Sequence, residues 1–129
     1  MTYAMTVTLE LPFTEAVEKV RAALQDQGFG VLTEIDVTAT LQAKLGAQME
    51  DYLILGACNP PLAHQALDID RSLGLLLPCN VVVRGAAAGT LVEIADPQMM
   101  VSISDNPALE PVAKQARERL SLVVAALGG

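Results

Sequence analysis

The run Tyr52-Leu53-Ile54-Leu55-Gly56-Ala57 constrains the fold more than any other segment of this chain. A short, unbroken apolar stretch of this kind is the pattern of a strand covered on both faces, which makes it the natural centre of a sheet. Asn59-Pro60 follows almost at once. An asparagine before a helix accepts the first unpartnered N–H groups, and a proline in the first turn lacks the N–H that would be wasted there. A strand therefore feeds directly into a helix, expected from Pro60 to about Arg71 with Leu62, Ala63, Ala66 and Leu67 turned inward.

The flanking segments add elements of both kinds. Met5, Val7 and Leu9 alternate with Thr6, Thr8 and Glu10, the period of a strand with one buried face. Pro12 ends it, Thr14 is a candidate N-cap, and Val17, Val20 and Leu24 recur at helical spacing until Gly28. Phe29 to Ile35 reads as a second strand. Asp36 can then cap a helix whose Val37, Leu41 and Leu45 form a stripe ending at Gly46. Asn80 to Arg84, a Gly85 to Gly89 turn and Thr90 to Ala95 read as a hairpin. Asp96 to Ile103 fits a short helix or a strand equally well. Asn106 to Glu110 reads as a turn, and Val112, Ala116, Leu120, Val123 and Leu127 then make one apolar stripe on a terminal helix that starts at Pro111. The order predicts a single α+β domain over residues 1–129, a two-layer α/β sandwich whose mixed, partly antiparallel sheet packs against helices.

Composition excludes several functions. The chain of 129 residues is 52% hydrophobic, has no Trp, and carries a formal net charge of −7. That charge repels phosphate backbones and anionic membranes, and the four aromatic residues, Tyr3, Phe13, Phe29 and Tyr52, give no platform for stacking bases. Nucleic-acid and membrane binding are not expected. No apolar run approaches the roughly 20 residues of a transmembrane helix, and the first residues lack the pattern of a signal peptide. The expectation is a soluble, cytoplasmic protein whose two cysteines, Cys58 and Cys79, are free thiols.

Two segments are chemically distinctive: Gly56-Ala57-Cys58-Asn59-Pro60 with Ala63 and Ala66-Leu67, and Gly74-Leu75-Leu76-Leu77-Pro78-Cys79-Asn80-Val81-Val82-Val83. In these, in the Asp36 helix with Leu45-Gly46, and in the later Asp96-Pro97, the chain resembles the family known as domain of unknown function 302, small prokaryotic α+β proteins. The resemblance covers most of the chain. It implies the fold and a homodimer, and brings no established activity, substrate, cofactor or catalytic residue.

The residues must therefore speak for themselves. Cys58 falls where a strand meets a helix N-terminus, whose positive end favours a thiolate over a thiol. The competing reading is a small buried hydrophobe closing the strand. Cys79 opens a Val-rich strand and reads as core in the same way. A Cys58–Cys79 pair needs Cα atoms within about 7 Å, whereas the intervening helix runs some 16–18 Å at 1.5 Å per residue. Parallel neighbouring strands would put the thiols at opposite ends of the sheet, and only an antiparallel or offset arrangement, or a dimer interface, would join them. His64, four residues before Asp68, reads as half of a solvated i, i+4 pair. Cys58, Cys79 and His64 lack the Cys-x-x-Cys or His-x-x-x-His spacing that organises a metal site, so no metal and no cofactor is expected. The serines have no nucleophile-elbow context, and the Gly85 to Gly89 loop lacks the lysine of a phosphate loop.

Three functions survive. The leading one is a non-enzymatic homodimeric binding or regulatory module, since a partner surface would absorb the apolar surplus. The alternative is a thiol-dependent redox, sulfur-handling or soft-metal-binding protein using Cys58. The third is a small-molecule pocket of at least about 300 Å³, lined by aliphatic side chains with Asn59 and Asn80 as its polar orienters.

Overall fold

Alternation and helical spacing are realised in a computed structural model that describes residues 3–128. The strands are β1 (Ala4–Leu9), β2 (Gly30–Asp36), β3 (Tyr52–Cys58), β4 (Cys79–Ala86) and β5 (Gly89–Ala95). The α-helices are α1 (Phe13–Asp26), α2 (Val37–Leu45), α3 (Pro60–Ile69), α4 (Gln98–Ser104) and α5 (Glu110–Ala126), with short 3-10 helices at Arg71–Leu75 and Pro107–Leu109. The protein is α+β, with one sheet in the order β1-β5-β4-β3-β2.

Every pairing in that sheet is antiparallel. This corrects the expectation of a mixed sheet. The reason lies in the β3–β4 connection: α3 ends at Ile69, and the 3-10 turn at Arg71–Leu75 with Leu76 to Pro78 returns the chain to the end of β3 that it left. Asp70 makes the break, its carboxylate accepting from the Ser72 N–H at 3.0 Å. The helix expected to continue to Arg71 thus stops short.

The alternation of β1 places Met5, Val7 and Leu9 in register with Ile94, Val92 and Thr90 of β5. The same face continues through Val81 and Val83 of β4 and Leu53, Leu55 and Ala57 of β3. Against it lie Ala16, Val20, Ala23 and Leu24 of α1 and Leu120 and Val123 of α5, forming the main core. Burying each large aliphatic side chain contributes about 1.5–3 kcal/mol. A second, smaller core gathers Leu62 and Ala66 of α3, Leu73, Met100 of α4, Leu109 and the first half of α5. α5 is common to both.

The centre of the sheet is β4, and β3 lies one strand from the edge. Nor is β3 covered on both faces: Leu53, Leu55 and Ala57 are buried, whereas Ile54 on the other face is only half-buried. Ile54 pairs there with Val82, and Arg84 and Glu93 form a 3.0 Å ion pair.

Caps follow the sequence closely in two places. The Asp36 carboxylate accepts from the Ala39 N–H at 2.9 Å, and Gly46 ends α2 in the left-handed conformation. Asn59 accepts from the Leu62 N–H at 3.3 Å. Thr14, by contrast, lies within α1, which begins after Pro12 with no side-chain cap. The stripe on α2 buries nothing, and Leu45 is 75% exposed. The ambiguous segment is the short helix α4. The hairpin strands extend through Ala86 and Gly89, because Gly89 has φ +127° and a side chain there would run into the Leu9 carbonyl of β1. Thr90 beside it is buried, its hydroxyl donating to the Leu11 carbonyl at 2.9 Å.

Candidate functional site

The antiparallel return of β4 brings the two cysteine segments to one end of the sheet. Cys79 stands opposite Ala57, and Cys58 is the next residue along β3. Both cysteines are free, and both line one small cavity at the seam between the two cores. Its other walls are Phe29 and Ala57 from the main core, and Leu62, Ala66, Met100 and Ala116 from the smaller one. The cavity measures about 20 Å³, room for one water-sized particle.

Electrostatics at this seam are governed by burial. The Cys79 thiol is pushed up to about 11, first by burial and then by the neighbouring Cys58. Burial also raises the Cys58 thiol. The direction is opposite to the lowering that the helix N-terminus reading of Cys58 implies. Cys58 precedes the cap residue and is not in the first turn, and the Leu62 N–H of α3 is turned toward Asn59.

Asn59 shares the cavity wall and is 7% exposed, its side-chain amide lying against Gly28. The remaining candidates are elsewhere. His64 sits on the solvent side of α3, 3.5 Å from Asp68, which Arg71 also approaches at 3.3 Å. Asn80 is exposed and follows Cys79 in β4, so alternation turns it to the opposite face of the sheet. The two asparagines therefore do not orient one pocket between them. A wider groove of about 290 Å³ has Asn80 in its wall together with Cys79, Asp96, Met99 and Met100.

Sequence reasoning missed Met100 and Phe29 as neighbours of the cysteines. Met99-Met100 lay in the segment that fitted two secondary structures, so no face could be assigned to either methionine. Among the described residues, no three His, Cys, Asp or Glu side chains converge as a metal cluster, and no helix is long and apolar enough to cross a membrane.

No curated protein matches the chain. Among solved structures it is similar to the crystal structure of an uncharacterized conserved protein DUF302 from Bacillus stearothermophilus. The TM-score is 0.91 at 30% identity, over 98% of this chain and 99% of that one. The family model for the domain of unknown function DUF302 matches residues 5–127, which takes in all five strands but the first residue of β1, and both cysteine segments. With that match and a shared fold over nearly its whole length, the chain belongs to the DUF302 family.

Proposed function

We propose that the protein is a non-enzymatic binding module whose ligand is taken up at the Cys58–Cys79 pocket. The observation that carries this reading is that Cys58 and Cys79, from adjacent strands, both line one small apolar cavity. Burial holds both as thiols at neutral pH, and a thiol is a weak nucleophile beside a thiolate. That favours binding over thiolate catalysis or fast redox sensing.

Mercuric ion tests the reading, because it is small and binds two thiols at once. The native protein is expected to take up one equivalent with the ultraviolet charge-transfer band of a bis-thiolate, and Cys58→Ser or Cys79→Ser to lose that band. A native protein that does not show it would end the reading.

A second reading, homodimerisation, is supported by the outer face of the sheet. Ile54 and Val82 are cross-strand partners there, Ile35 beside Ile54 is 50% exposed, and Arg84 with Glu93 presents both signs of charge. A two-fold copy can meet such a surface with its own. Sedimentation should give a dimer that Val82→Lys dissociates, and a monodisperse monomer at all concentrations would rule the dimer out.

A further inference from the structure

We propose that Arg119 and the side-chain amide nitrogen of Asn59 bind the carboxylate of a small organic acid beside Gly28. Neither thiol takes part, so the site stands apart from the seam pocket.

Two hydrogen-bond donors from distant parts of the chain come together at this glycine. A Cβ on Gly28 would stand 3.1 Å from Asn59 Nδ2 and 3.7 Å from Arg119 Nη1. Gly28 has φ +82°, a conformation that favours glycine, and with no side chain there both nitrogens stay within reach of a ligand.

Neither donor is committed to a carboxylate of the protein. The Asn59 oxygen accepts from the Leu62 N–H, which settles which end of the amide is which and leaves Nδ2 on the Gly28 side. Among the described residues nothing accepts from Nδ2, and no enclosed side-chain nitrogen or oxygen lacks a partner, so Nδ2 is open to solvent although the residue is buried. Arg21, Arg71, Arg84 and Arg117 are each ion-paired, with Glu34, Asp68, Glu93 and Asp96. Arg119 has no such partner among the described residues, and its Nη1 donates only to the Gln27 carbonyl, at 3.4 Å. With 15 Asp and Glu against 8 Lys and Arg in the chain, carboxylates are plentiful and an arginine left without one is the exception.

The donors select the ligand class. A guanidinium presents a planar fork that matches a carboxylate, and the amide adds a further N–H. A net charge of −7 opposes multiply charged anions such as phosphate more than a monoanion. The acid's body has a groove of about 480 Å³ to lie in, walled by Gly28, Phe29, Gly30 and Val31 with Arg21 and Gln25. Arg21 is closed on Glu34 at 2.7 Å, so that wall adds no net charge.

The test is a titration of the whole chain with sodium butyrate at constant ionic strength, followed by nuclear magnetic resonance. The Gly28 backbone amide and the Asn59 side-chain amide are expected to shift saturably at millimolar concentrations, with inorganic phosphate and the uncharged analogue butyramide binding more weakly. Arg119→Gln, at an exposed position, and Asn59→Asp should each weaken butyrate binding about tenfold or more, the scale of a hydrogen bond to a charged group. Asn59→Asp keeps an oxygen for the Leu62 N–H, so α3 retains its cap while the donor is lost. No saturable shift in the wild type overturns the inference, as does Arg119→Gln binding butyrate undiminished. Phosphate or butyramide binding as tightly as butyrate overturns the carboxylate assignment.

Discussion

The Thr33 side chain fills the space that a Cβ on Gly56 would occupy. The two residues are paired across the β2–β3 ladder just past the irregularity at Val31, and Pro78 closes the same spot from the other side, its Cγ 2.9 Å from where that Cβ would lie. The glycine in the apolar run is thus a packing requirement, imposed by Thr33 of β2 and by the segment that leads into β4.

Gly56→Ala should therefore destabilise the protein by about 1–3 kcal/mol, the usual range for overpacking a filled site. Urea unfolding measures it. Adding Thr33→Ala should recover part of the loss, since the two side chains share one space and their effects are not additive. Full additivity would show that the collision is relieved elsewhere.

Leu120 and Leu45 make a paired test of the core. Leu120 is fully buried between α5 and the sheet, so Leu120→Ala should cost about 2–5 kcal/mol. Leu45, at 75% exposed, should change stability by no more than about 0.5 kcal/mol when replaced by Ser. Comparable losses from both would mean that α2 is covered in solution.

Asp36 caps α2 through the Ala39 N–H. Asp36→Ala should cost about 0.5–2 kcal/mol, and Asp36→Asn much less, because the amide oxygen can accept the same bond. Circular dichroism with thermal melting separates the two variants. Equal losses would assign the effect to charge.

Alkaline pH should weaken the fold through Cys79. Its thiol is held at about 11 in the folded protein, above the value in the unfolded chain. From roughly pH 9 upward the unfolded chain releases a proton that the folded one keeps, so stability falls until the folded thiol also ionises. The loss is at most about 3 kcal/mol at 1.36 kcal/mol per unit, and below pH 8 this thiol adds no slope. Cys79→Ala should flatten the decline relative to wild type in urea titrations between pH 8 and 11. Parallel curves would place the thiol in water.

Local signals carried most of the fold into the sequence. Asp36 with Gly46 and Asn59 with Pro60 mark their helix ends by chemistry confined to a few residues, and Val112 to Leu127 declares its buried stripe by spacing alone. What the sequence did not carry was tertiary. Strand direction between β3 and β4 depends on how far the chain travels after Ile69, and a short 3-10 helix at Arg71–Leu75 decides that. The meeting of Cys58 and Cys79 hangs on the same turn. The cavity that Cys58 lines has walls contributed by α4 and α5 from some 40 to 60 residues later in the chain, and no local pattern encodes such a wall.

The pairing of β1 with β5 has a consequence for biosynthesis. Leu9 finds its partner only in Thr90, so 81 further residues must be polymerised before the first strand of the sheet has a neighbour. At about 5–20 residues per second on the ribosome, Leu9 waits roughly 4 to 16 s, and longer by the transit of Thr90 through the exit tunnel. The β2–β3–β4 sheet can zip in that interval, hairpin by hairpin, as its strands emerge. The oldest strand of the sheet must therefore await the youngest for its ladder of hydrogen bonds.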